Sequence, residues 1–63
     1  MDTEIIVARA EIELEQEGKD LDWSSEMEMQ RVIEMIIEKC DENEWEISRA
    51  AVAELFRSFS ASP

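Results

Sequence analysis

Seventeen carboxylates, one thiol and two indoles are the side chains of this 63-residue sequence with chemistry to offer. Paired carboxylates transfer protons when held in a concave, partly desolvated site. A chain this short has little room for such a cleft, so the acids read as a solvated surface. Cys40 lies between Lys39 and Asp41. A reactive thiolate needs electropositive surroundings, and Cys40 instead falls on an apolar stripe, as a small core residue does. The sequence contains no His and no second Cys. That removes the commonest acid–base catalyst, structural zinc sites and internal disulfides. A calcium loop starting at Asp41 would need Gly at its sixth position and Glu at its twelfth; Glu46 and Val52 stand there. No catalytic residue, metal or cofactor is therefore expected, and an enzyme is the least expected class.

The charge itself carries more information. Lys and Arg number 6 against 17 Asp and Glu, a net −11 at pH 7. Affinity for nucleic acid comes largely from Lys and Arg neutralising phosphates, so direct binding to DNA or RNA is excluded. Attachment to an anionic membrane is disfavoured for the same reason. No apolar run approaches the roughly 20 residues that span a bilayer. The acidic opening Met1-Asp2-Thr3-Glu4, with only residues 5–8 apolar behind it, is unlike a signal peptide. With its unpaired Cys40 the sequence reads as cytoplasmic.

The acids cluster. Residues 11–28 hold Glu11, Glu13, Glu15, Glu17, Asp20, Asp22, Glu26 and Glu28 against Lys19 alone. Asp41, Glu42, Glu44 and Glu46 form a second block. Carboxylates fixed on folded elements stand about 6 Å apart at helical i, i+4 spacing and about 6.7 Å apart on one strand face. Either spacing resembles a row of phosphates, which a basic groove attracts with fast, salt-sensitive association. The magnitude of −11 exceeds the roughly 2–8 that solubility alone asks of a small domain. Trp23 and Trp45 both sit among acids. Tryptophan anchors many interfaces, and it also closes the ends of small cores. The expected partner-binding residues are therefore Glu11, Glu13, Glu15, Glu17, Asp20, Asp22, Trp23, Asp41, Glu42, Glu44, Trp45 and Glu46. The expected partner is a basic protein surface, one built for nucleic acid. Small phage- and plasmid-encoded inhibitors that mimic nucleic acid offer an analogy of size and charge. The alternatives are a dimeric helical adaptor or regulatory subunit recognised through apolar faces, and an antitoxin-like partner of a basic toxin.

These residues must be positioned by short elements. Residues 25–40 read as a helix, with Met29, Val32, Ile33, Ile36, Ile37 and Cys40 on one face. Ser25 and Glu28 have capping-box spacing, and Lys39 complements the C-terminal dipole. Met27 and Met35 fall outside that stripe. Residues 48–59 read as a second helix, capped by Ser48 and stapled by Ile47 and Val52. Its apolar face is Val52, Leu55, Phe56 and Phe59. Residues 60–63 read as a frayed tail behind a single domain of residues 1–59.

Residues 4–17 are ambiguous. Their Ala, Glu and Leu favour helix, with Gly18 just past its end. Yet Ile6, Ala8, Ala10, Ile12 and Leu14 alternate with charged residues, a strand signature. As a helix the segment carries two apolar stripes, Ile5/Ala8/Ile12 and Val7/Ala10/Leu14, one for its own core and one for a partner. The adopted reading is an all-α, small three-helix domain. The alternative, strand–helix–helix over residues 5–59, resembles the ribbon-helix-helix family, whose chains pair N-terminal strands and interlock helices. That family reads DNA from its exposed strand face. Arg9, Glu11, Glu13 and Glu15 would occupy that face here, so the resemblance implies architecture and not DNA binding. A core this small, with no disulfide or metal, favours a homodimer.

Overall fold

A computed structural model describes residues 2–60 and contains three helices, α1 (Thr3–Gln16), α2 (Glu26–Glu42) and α3 (Arg49–Ser60). No strand occurs among the described residues. The three-helix expectation holds, and the strand-first alternative is overturned. The alternation in α1 has a physical origin that is not a pleat. Ile6, Val7, Ala10 and Leu14 are buried, while Ile5, Ala8 and Ile12 face outward. Two apolar stripes on opposite sides of one helix interleave in sequence and imitate period two.

Local chemistry sets the ends. The Ser25 hydroxyl accepts the Glu28 N–H at 3.2 Å and starts α2. The Ser48 hydroxyl accepts the Ala51 N–H at 3.1 Å and starts α3. α1 stops in a Schellman turn: Lys19 N–H donates to the Leu14 carbonyl and Gly18 N–H to that of Glu15, each at 3.0 Å. Gly18 supplies the positive φ (83°) that this turn requires. α2 stops the same way, with Trp45 N–H on the Cys40 carbonyl (2.9 Å) and Glu44 N–H on that of Asp41 (3.1 Å). Here the left-handed residue is Glu44, at φ 59°. α2 thus runs two residues beyond the expected end, and Asp41 and Glu42 are helical. α3 extends through Ser60; the rest of the expected tail, residues 61–63, lies outside the described residues.

The core joins all three helices. To the four residues of α1, α2 adds Met29, Val32, Ile33, Ile36 and Cys40, and α3 adds Val52 and Phe56. Ala10 has no exposure and brings the backbone of α1 close to its neighbours. Trp23 stacks on Phe56 (centroids 5.7 Å apart, planes at 17°), and Phe59 packs beside Phe56 at 6.2 Å. Ile47, expected as a staple, packs half-buried against the core that contains Val52. Met35 is half-buried against this core, whereas Met27 is 83% exposed. Arg49 grips Glu34 with both guanidinium nitrogens, one bond of 2.9 Å, and ties α3 to α2. No helix among the described residues is long and apolar enough to cross a membrane.

The two left-handed caps make opposite predictions. Gly18→Ala forces a side chain onto positive φ and lowers stability by about 1 kcal/mol. Glu44→Gly relieves the same strain and raises stability by about 0.5–1 kcal/mol, less than the full left-handed penalty because glycine gains unfolded-state entropy. Urea melts followed by circular dichroism check both signs.

Candidate functional site

Two residues of helix turn a side chain by roughly 200°, so the acids of α1 cannot line one face. Glu11 and Glu15 fall on one side, Glu13 and Glu17 on the other. The structure engages the second pair at the seam with α2. Lys39, 7% exposed, reaches into that seam. Its ammonium donates to the Glu17 carboxylate and lies 3.6 Å from Glu42. The Asn43 amide donates to Glu13 Oε1 (3.2 Å) and to the Lys39 carbonyl (2.9 Å). Glu17 and Glu42 thereby converge on the Lys39 ammonium, while Asn43 holds Glu13 beside them. The Glu17 hydrogen bond, outweighing burial, holds the Lys39 ammonium above the usual lysine range. This raised value adds stability that is present at neutral pH and lost only as pH climbs through it.

The second acidic block surrounds Trp45 where α2 turns into α3. Trp45 is half-buried and packs on the core. On one side lies a concavity of 190 Å³ lined by Ile37, Glu38, Cys40, Asp41, Trp45 and Ile47. On the other lies a larger one of 440 Å³ lined by Ile6, Glu44, Trp45 and Glu46. The first has room for a side chain and falls short of the 300 Å³ or so of a small-molecule site. Asp41 at the first concavity and Glu44 and Glu46 at the second are exposed and make no ion pair with another described residue.

The link between α1 and α2 carries the remaining expected residues. The Asp20 carboxylate accepts the Asp22 N–H at 3.0 Å, an Asx turn. The Asp20 carbonyl accepts from Arg31 at 3.4 Å. Asp22 is exposed, and Trp23 is half-buried on Phe56. Both tryptophans therefore close the core while keeping an edge in solvent. Glu11 and Glu15 stand apart, with Glu11 partly buried. Burial first, and then the Glu15 charge, push the Glu11 carboxyl above the usual carboxylate range.

Cys40 is buried with a raised thiol pKa, owing first to burial and then to Glu13. It serves as core, in line with the sequence reading. Among the described residues, no group of three or more His, Cys, Asp and Glu is arranged to hold a metal ion. Sequence reasoning missed the Lys39 hub, because one lysine in a last turn reads only as a dipole complement. It also missed Asn43 and the Glu34–Arg49 fork, since pairings 15 to 30 residues apart have no local spacing signal. Comparison with known protein families, with curated proteins and with solved structures finds no match to this chain.

Two predictions follow from burial and charge. Glu11→Gln stabilises the fold at pH 7, where the native state must keep a partly desolvated carboxylate ionised. A raised native pKa means that the folded state binds the proton more tightly, so this gain shrinks as pH falls through that value toward 4.5. Thermal melts at neutral and acidic pH read both limbs. Cys40 resists a thiol reagent in the native protein and reacts at the rate at which the core opens. Labelling as fast as that of a free thiol contradicts its burial.

Proposed function

We propose that this chain is a non-enzymatic binding module whose acidic surface occupies a basic, nucleic-acid-binding surface on another protein, as small phage- and plasmid-encoded mimics do. The supporting observation is the distribution of counter-ions. Within the chain, the salt bridges among the described residues draw on Glu17, Glu34 and Glu42. Asp20, Asp22, Asp41, Glu44 and Glu46 are exposed without such a partner, and all five lie on the links that hold Trp23 and Trp45 or at their edges. Fixed carboxylates beside a half-exposed indole suit a cationic surface, which they attract at long range and then meet with an apolar anchor. Glu13 and Glu17 contribute field and not contact, because Asn43 and Lys39 already hold them.

A second reading, a helical adaptor recognised through apolar surface, draws on the exposed Ile5, Ile12, Met27 and Phe59. Salt separates the two. Tagged protein is used to isolate partners from lysate, and the identified partner is then titrated from low to high ionic strength, with and without competing double-stranded DNA. The expected outcome is affinity that falls steeply with salt and is displaced by DNA. Reversing Asp41, Glu44 and Glu46 to Lys weakens binding at least tenfold while circular dichroism stays native. Salt-independent binding untouched by that reversal overturns the proposal and favours the adaptor.

A further inference from the structure

The outward stripe of α1 has no partner among the described residues. Ile5 is 51% and Ile12 56% exposed, with exposed Ala8 between them. Ala10, fully buried, marks the opposite side of the helix. The molecule's shortest Cα extent is 16 Å, little more than one interaxial spacing of about 8–10 Å with the backbone radii added. The domain is therefore two helix layers thick, and among the described residues no third layer covers α1.

The stripe has an order of its own. Positions 5, 8, 12 and 15 recur at intervals of three, four and three, the a and d positions of a heptad repeat. Ile5 and Ile12 take a; Ala8 and Glu15 take d. Arg9 and Gln16 then flank the stripe on the e edge, and Glu4 and Glu11 on the g edge. The two edges are complementary. Arg9 is exposed and makes no ion pair with another described residue. Glu4 is exposed and shares a shallow cleft with Glu54 of α3.

We propose that this face pairs with the same face of a second copy of the chain, with the two α1 helices parallel and in register. In that arrangement a g residue meets the partner's e residue five positions further on. Glu4 of each copy then meets Arg9 of the other, and Glu11 meets Gln16. Each ion pair forms twice. Glu54 places a further carboxylate near the edge that receives the arginine. An antiparallel pair would set the two glutamate edges against each other and the two arginine edges together, so charge selects the parallel form. Ile at the a positions matches the choice of parallel two-stranded pairs that carry Leu at d, and Ala8 at d here lets the backbones approach. Glu15 at the second d position faces Glu15 of the second copy, and their repulsion loosens the C-terminal end.

The pairing is weak. Its apolar contact is confined to Ile5, Ala8 and Ile12, less than the roughly 1,200 Å² total of a standard interface. Each copy also carries −11. The test therefore covers weak association, with a dissociation constant up to about 1 mM. The face uses none of Asp20, Asp22, Asp41, Glu44 and Glu46, so the inference stands independently of the proposed partner-binding surface.

Sedimentation of the full chain from micromolar concentration to about 1 mM, at about 0.15 M salt, tests it. The expected result is a monomer–dimer equilibrium that Ile12→Glu abolishes, with helicity by circular dichroism unchanged. Arg9→Glu weakens association about tenfold. The double variant Glu4→Arg with Arg9→Glu keeps the wild-type net charge and restores association to within about threefold, because the ion pairs re-form with their signs exchanged. A wild-type chain that stays monomeric throughout overturns the proposal. So does a dimer indifferent to Ile12→Glu, or a double variant as weak as Arg9→Glu alone. The exchange at positions 4 and 9 touches no core residue and remains decisive if Ile12→Glu disturbs the fold.

Discussion

Lys39 sits where close packing would otherwise force carboxylates of two helices against one another. Ala10 draws α1 onto α2, and the register that buries Val7 and Leu14 also places Glu13 and Glu17 beside the end of α2. That end already carries Glu42 and the partial negative charge of its free carbonyls. The lysine stem lies along the apolar seam while its ammonium reaches Glu17 and Glu42. Asn43 takes up Glu13 and one of the carbonyls. With this hub in place α1 can dock through Ile6, Val7, Ala10 and Leu14. The burial of those four residues sets which stripe of α1 faces inward, and Lys39 makes that register compatible with Glu17 and Glu42.

The rest of the surface accepts repulsion that the core must withstand. Small domains have little stability in reserve, yet Glu44 occupies a left-handed position where glycine would close the turn with less strain. The side chain it retains adds a carboxylate beside Trp45, across from Glu46. Glu11 likewise remains ionised against partial burial and the nearby Glu15. Strain of this kind marks a candidate functional position; Glu44 lies beside Trp45 and Glu46, whereas Glu11 stands apart on α1.

How much of this was legible depended on whether the signal was local. Ser25, Ser48 and Gly18 announced helix boundaries by type and spacing, and each cap forms. The faces of α2 and α3 followed from a single apolar stripe. α1 resisted because two stripes produced an alternation that a strand also produces, and only the packing of Ala10 decides between them. Glu44 was unreadable as a turn residue, since nothing about a glutamate marks positive φ. Glu11, Glu13, Glu15 and Glu17 were read within one block because sequence counts charge along the chain, whereas a helix distributes it around an axis. Glu11 and Glu15 were thereby separated from Glu13 and Glu17, and the latter pair was committed to Lys39 and Asn43.

That separation changes what mimicry of a phosphate row would require. One helix cannot supply the row here; it has to be assembled from the α1–α2 link and the α2–α3 turn, each carrying its own half-exposed tryptophan. If two copies pair along α1, the number of such corners doubles while the like charge opposing the pairing doubles as well. A cationic partner that spans both copies would neutralise that charge, and so would bind the pair more tightly than the single chain. Linkage then runs in both directions: whatever factor the partner gains from the dimer, the dimer gains from the partner. On its own the short apolar stripe, with Glu4 facing Arg9 across it, would hold two copies weakly, and the partner's charge would tighten an association that already forms without it.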